Sequence, residues 1–209
     1  MRTFLFWVCL CLSGAAWAEP AKILVLGDSL SAAYNLRPEE GWVALLNDKL
    51  QASQPQRWQV VNASISGETT SGGLTRLPAA LELHRPQLVI IALGANDGLR
   101  GLQLGAMRSN LTQMVQEAKA SGAAAALVGI EIPPNYGEAY RSRFRAVFKD
   151  VADAEKVPLL PFLLVDIADE LSNFQGDLIH PTAEAQPRIL DTVWPWLEPQ
   201  LQMLEGTAD

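Results

Sequence analysis

The chain has 209 residues, 49% of them hydrophobic, with a formal net charge of −7 and a pI near 4.9. That length supports one sizeable core and fits one domain better than two. An acidic chain with no basic run is a poor partner for nucleic acid or an anionic membrane surface, and it leaves neutral or apolar substrates open.

The first segment reads as a secretory signal peptide over residues 1–18. Arg2 precedes an apolar stretch, residues 4–12, that is too short to span a bilayer. Ala16-Trp17-Ala18 has the small-x-small form of a cleavage site. The expectation is a mature domain over 19–209, periplasmic or secreted, without a stable membrane anchor. Both cysteines, Cys9 and Cys11, fall inside the signal, so the mature chain has no disulfide and no thiol chemistry. Leu10 precedes Cys11, where a lipid-anchored cysteine would need a small residue.

Strand-like and helix-like segments then alternate. Residues 22–26 are a first strand. Residues 39–51 have helical apolar spacing at Trp42, Leu45, Leu46 and Leu50. A strand over 58–62 and a helix over 71–83 follow. Residues 87–93, QLVIIAL, are a strongly apolar strand, and 102–121 a helix ending at Gly122. Residues 124–130 form a fourth strand, 140–155 a helix, and 157–160 a short fifth strand. A closing helix over 182–204 is expected to be interrupted near Pro187 and Pro195. Near-continuous apolar strands alternating with helices imply a parallel sheet covered on both faces, a three-layer α/β/α architecture. No internal repeat and no linker divides the chain.

In open α/β sheets, ligands bind outside the carboxyl ends of the strands. Residues just after strands therefore carry the functional signal. Serine catalysis needs a base, a group to orient that base, and donors for the developing oxyanion. Ser29 follows the first strand in GDSL, and by itself is as suitable for capping a helix as for nucleophilic attack. Gly67, after the second strand, is either a flexible loop glycine or a place where a backbone N–H meets a substrate closely. Asn96, in GAND after the third strand, is either a turn residue or an amide donor. Of the two histidines, His84 stands just before a strand, at the wrong end of the sheet, and reads as a surface or helix-end residue. His180, in QGDLIHPT, has Asp177 three residues upstream, a spacing a loop can fold into an oriented base. No His, Cys or carboxylate cluster has metal-ligand spacing, so no metal or cofactor is expected.

Together, GDSL, Ser-Gly, GAND and DLIHP match in order the four blocks of the SGNH (GDSL) hydrolases, and the chain resembles that family over nearly its whole mature length. GWVALL, VVNASISGETTSGGLTRLP, NDGLRG, PPNYG and IHPTAEAQP are similar to bacterial periplasmic multifunctional esterases of the thioesterase I, protease I and lysophospholipase type. The resemblance implies a flavodoxin-like fold with a central five-stranded parallel sheet. It also implies a monomeric, cofactor-free hydrolase of acyl esters and thioesters. By resemblance Ser29 is the nucleophile, His180 the general base and Asp177 its orienter. The oxyanion hole is then the Ser29 N–H, the Gly67 N–H and the Asn96 side chain. Gly98, Leu99, Arg100 and Gly101 correspond to a mobile loop lining the acyl groove, and Ile132 and Pro133 to apolar acyl contacts. Ala95 stands where the family pattern has glycine, which adds one methyl beside Asn96.

Three alternatives compete. A nucleotide- or flavin-binding module would need GDSLSAAYNL as its phosphate loop. That segment is not G-x-G-x-x-G, lacks a Walker lysine and puts Asp28 where an anion would sit. A non-catalytic periplasmic binding protein would be expected to lack at least one of the four block residues. A sugar-deacetylating esterase of the same fold would need a more polar, open site than GLRGLQL and EIPPNYG suggest. The G-x-S-x-G elbow of α/β-hydrolases is absent.

Overall fold

The computed structural model describes residues 19–206. The expected signal peptide, residues 1–18, lies outside the described residues.

Five strands form one sheet: β1 (Ala21–Gly27), β2 (Trp58–Asn62), β3 (Leu88–Ala92), β4 (Ala124–Val128) and β5 (Leu159–Leu160). Their order is β2-β1-β3-β4-β5, and every pairing is parallel. Val25 sits between Asn62 and Ile90 in the register, and Ile90 pairs on its other side with Ala126. The β1 and β3 side chains from Ile23 to Leu26 and from Val89 to Ile91 are completely buried, as unbroken apolar runs demand of strands covered on both faces.

The connecting helices are α1 (Trp42–Ser53), α2 (Thr70–His84), α3 (Ala95–Leu99), α4 (Leu104–Ala120), α5 (Glu138–Glu155) and α6 (Gln186–Gly206). From β1 the chain first moves to the β2 edge, then reverses and proceeds through β3, β4 and β5. Right-handed crossovers therefore put α1 on one face and α2, α4 and α5 on the other. The packing agrees: α1 contacts α6, while α4 contacts both α2 and α5. The reversal of direction leaves a crevice at the carboxyl ends of β1 and β3.

Two expectations about helices need correction. The helix expected from residue 39 begins at Trp42, because Gly41 is extended, with φ −70° and ψ 148°, after a 3-10 turn at Pro38–Glu40. The buried Gln186 accepts the free Trp42 N–H at 2.9 Å, so the start of α1 is tied to the start of α6. The helix expected over 102–121 forms as α4, Leu104–Ala120, and follows the separate short helix α3.

The closing helix is not interrupted. It begins at Gln186, with Pro187 in its first turn, and runs through Pro195 and Pro199. Those two prolines lie on the exposed face, four residues apart, opposite the buried stripe Ile189, Val193, Leu197 and Leu201. A proline on the solvent side leaves its unpaired carbonyl partner to water. Burying the four residues of the stripe, at about 1.5–3 kcal/mol per large apolar side chain, offsets roughly 3 kcal/mol for each of the two interior prolines.

Candidate active site

β1 ends in Gly27, where a Cβ would stand 2.8 Å from both Ser31 Cβ and Ser64 Oγ. Only glycine lets the strand exit this close to its neighbours. Asp28 follows, with 2% of its surface exposed. Its Oδ1 accepts the Leu30 N–H at 3.0 Å, and its carbonyl accepts from Ser31 and Ala32. The helix-cap alternative for Ser29 is thereby corrected. Residues 29–35 form turns rather than a helix, with Ala33 and Asn35 left-handed at φ 55° and 56°, and Asp28 does the capping. The Ser29 hydroxyl remains available to the cleft.

It meets His180. His180 Nε2 and Ser29 Oγ are 2.9 Å apart across 151 residues of sequence, and His180 Nδ1 lies 2.6 Å from Asp177 Oδ2. The other Asp177 oxygen accepts the backbone N–H groups of Ile179 and His180 at 2.9 and 3.0 Å. Partial burial pushes the Asp177 carboxyl up. The His180 backbone N–H, the His180 ring and the Ile179 N–H outweigh it and hold the group down at about 2. A carboxylate on Nδ1 keeps the proton there, so Nε2 is left to accept from the serine hydroxyl.

The loop bearing this pair is pinned at both ends. The Gln175 N–H donates to the His180 carbonyl at 2.7 Å, and Phe174 bridges to Pro181. The Gln175 side chain donates to the carbonyls of Tyr34 and Pro181 at 3.0 and 2.9 Å. The Tyr34 ring lies 4.2 Å from the His180 ring, centroid to centroid, tilted by 33°.

Asn96 arrives from the β3 side. Gly94, at φ 130°, turns the chain out of the strand, and an added Cβ there would meet Met107 and Phe148 at 2.6 and 2.9 Å. Asp97, also buried, accepts the Thr70 N–H at 2.8 Å and the Thr70 hydroxyl at 2.6 Å, locking α3 to the start of α2. The Asn96 amide is oriented from both sides. Its Nδ2 donates to Asp28 Oδ2 at 3.4 Å, and its Oδ1 accepts from Arg100 at 3.4 Å. One Nδ2 hydrogen remains for the cleft. Arg100 also donates to the Gly67 carbonyl at 2.8 Å, while Gly67 itself turns at φ 79°. Among the described residues, neither the Ser29 nor the Gly67 N–H donates to a protein acceptor.

Burial drives the Asp28 carboxyl up to about 6, against the Leu30 N–H, the neighbouring His180 and the Asn96 amide, which pull it down. Asp28 is thus a carboxyl held under electrostatic stress beside the candidate donors.

Ser29, Gly67, Asn96 and His180 line one cleft of about 620 Å³. Leu99, Ile132 and Pro133 line it too, as do Tyr34, Phe162 and Phe174, so its wall is mainly apolar. Gly98, Arg100 and Gly101 are not on that wall. Gly98 lies underneath, where a Cβ would meet Phe144 at 2.6 Å and Ile132 at 2.8 Å. Arg100 bridges Gly67 and Asn96, and Gly101, at φ 64°, faces open space. Arg141 supports Ile132 by donating to its carbonyl at 3.1 Å, and pairs with Glu131 at 2.9 Å. His84 ends α2 beside the amino ends of β1 and β3, away from the cleft.

Asp28, Tyr34 and the bridging of Arg100 were not singled out from sequence. Asp28 is adjacent to Ser29 and could have been found from that position. Tyr34 and Arg100 gain their contacts only through the tertiary fold. Among the described residues no group of three or more His, Cys, Asp or Glu side chains could hold a metal ion.

The chain matches the GDSL-like lipase/acylhydrolase family over residues 25–187. It is 48% identical over 202 residues to the esterase TesA of Pseudomonas aeruginosa, covering 96% of this chain and all of that protein. It is 44% identical over 201 residues to thioesterase 1/protease 1/lysophospholipase L1 of Escherichia coli, covering 96% of this chain and 91% of the relative. The crystal structure of the psychrotrophic esterase EstA from Pseudoalteromonas sp., inhibited by monoethylphosphonate, superposes with a TM-score of 0.83 at 46% identity. That match covers 87% of this chain and 98% of the esterase. Strand order, block residues and similarity over almost the entire length agree that the chain belongs to the GDSL (SGNH) lipase/acylhydrolase family.

Proposed function

We propose that this protein is a serine hydrolase of carboxylic esters and thioesters bearing acyl chains, working through an acyl-enzyme on Ser29. The observation that carries the proposal is the unbroken chain from Asp177 through His180 to Ser29, with contacts of 2.6 and 2.9 Å. Ser29 Oγ attacks the carbonyl carbon as His180 Nε2 takes its proton. Negative charge grows on the carbonyl oxygen, where the Ser29 N–H, the Gly67 N–H and the free Asn96 amide hydrogen receive it. Each such donor is worth roughly 3 kcal/mol of barrier. His180 then protonates the departing alcohol or thiol. Water repeats the sequence on the acyl-enzyme, giving the acid and restoring Ser29.

The apolar wall at Leu99, Ile132 and Pro133 suits an acyl chain. The names of the relatives (esterase, thioesterase, lysophospholipase) support substrates of this class. Asp177 acts by holding the imidazole and stabilising its charged form. The proposal includes export to the periplasm or beyond, with cleavage near Ala18, and action as a monomer over residues 19–209. No helix of the described residues is long and apolar enough to cross a membrane.

The test is Ser29→Ala against p-nitrophenyl esters, acyl-CoAs and a lysophospholipid. Hydrolysis of every substrate that the wild type cleaves is expected to vanish while the thermal midpoint is kept. Turnover near wild type would reject the nucleophile assignment.

A further inference from the structure

Leu178 is an unfavourable residue for its position. Its backbone is left-handed, at φ 58°, a conformation that glycine and asparagine adopt far more readily than leucine. Its side chain recovers nothing from the core, since 58% of the residue is exposed. It nevertheless lines the cleft, between Asp177 and His180, on a lip that it shares with Leu171 and Ile179. Neither folding nor solubility explains a large apolar side chain on a strained, exposed backbone. A ligand that covers it does.

The position of the base indicates which part of the ligand. The group leaving the carbonyl must collect its proton from His180 Nε2, so it departs on the side of the loop carrying His180. Leu178 belongs to that loop. Leu99, Ile132 and Pro133 come instead from segments after β3 and β4. We infer that Leu178 is a specificity-determining residue that covers the apolar part of the leaving group, favouring esters of bulky apolar alcohols over those of small ones. This rests on the acyl-transfer reading given above.

The test uses the full chain with Leu178→Gly and Leu178→Asn. The readout is the ratio of kcat/KM for benzyl acetate to that for ethyl acetate. Any general loss of activity cancels in this ratio. Both variants are expected to lower it about fivefold, the effect of losing partial cover by one leucine side chain. Thermal midpoints should not fall, because the substituted residues suit the backbone. An unchanged ratio would overturn the inference. So would a change confined to the ratio of benzyl hexanoate to benzyl acetate, which would put Leu178 on the acyl side. A midpoint lowered by several degrees in Leu178→Asn would show that the side chain packs structurally, and would overturn it too. Ser29→Ala in the same assay separates the two levels. If that variant keeps turnover, the acyl-transfer reading itself fails. If turnover vanishes and the ratio does not move, only the Leu178 assignment fails.

Discussion

Replacing Asp28 by asparagine should make the protein more stable and less active, and the stability gain should depend on pH. Asp28 is 2% exposed, and burial raises its carboxyl from 3.8 to about 6. The sign follows from that direction. A carboxyl whose folded value lies above its unfolded value favours the folded state below the unfolded value, and that advantage is lost as pH rises through the folded value. Between pH 4 and pH 6 the wild type therefore loses stability at this group. The difference between 3.8 and about 6 corresponds to about 3 kcal/mol. Asparagine carries no charge to desolvate and its oxygen can still accept the Leu30 N–H. Its amide would, however, face the Asn96 Nδ2, losing one hydrogen bond worth about 1 kcal/mol. The net gain at pH 8 is about 2 kcal/mol, or roughly 4–8 °C in midpoint for a chain of this size. Thermal and urea unfolding of both proteins from pH 4 to pH 8 measures it. The gain should vanish as pH falls towards 4 and turn into a deficit of up to about 1 kcal/mol, the lost hydrogen bond, where the carboxyl is protonated in both states. A difference that stays flat across this range, or a variant less stable at pH 8, would refute the burial argument. Ester hydrolysis should fall about tenfold as Asn96 loses its fixed orientation.

Arg100→Ala should lower kcat about tenfold with little change in KM, because Arg100 steadies Gly67 and Asn96 rather than the acyl chain; steady-state kinetics on a p-nitrophenyl ester decides between the two roles. His180→Ala should reduce turnover by about 10⁴ or more, and Asp177→Asn by less, since the base itself remains although the asparagine NH2, with its oxygen held by the Ile179 and His180 N–H groups, favours the wrong tautomer. Wild-type rates in both would reject the mechanism. Gly129→Ala should destabilise the fold by about 1–3 kcal/mol, because a Cβ there would lie 2.3 Å from the Pro161 carbonyl oxygen, a backbone atom with little room to move. Denaturant unfolding would show it as a lowered midpoint.

Much of this architecture could be read from the chain. β3 forms at Leu88–Ala92 inside the apolar run expected over 87–93, because a strand buried in a parallel sheet carries its own signal. Helix limits were less legible. The start of α1 depends on Gln186, which lies 144 residues away, and the persistence of α6 depends on which face Pro195 and Pro199 occupy. The site divides in the same way. Ser29, Gly67 and Asn96 each follow a strand, so topology alone draws them to one crevice. The roles of Tyr34, Asp28 and Arg100 arise from neighbours that sequence spacing does not reveal. Arg100 sits in GLRG, the segment expected along the acyl groove, and spacing gives no sign that its guanidinium reaches back to Gly67 across 33 residues.

The separation of 151 positions between Ser29 and His180 also has a consequence for biosynthesis. The serine leaves the ribosome early and the imidazole near the end. The loop bearing that imidazole is fastened to the Tyr34 carbonyl by Gln175, and the helix after it is fastened to α1 by Gln186. On the proposed mechanism, a nascent chain that stops short of residue 180 has its nucleophile without its base. On that mechanism hydrolysis is silent until the loop bearing His180 docks onto the segment after β1, so the appearance of activity reports that these two distant parts of the chain have come together.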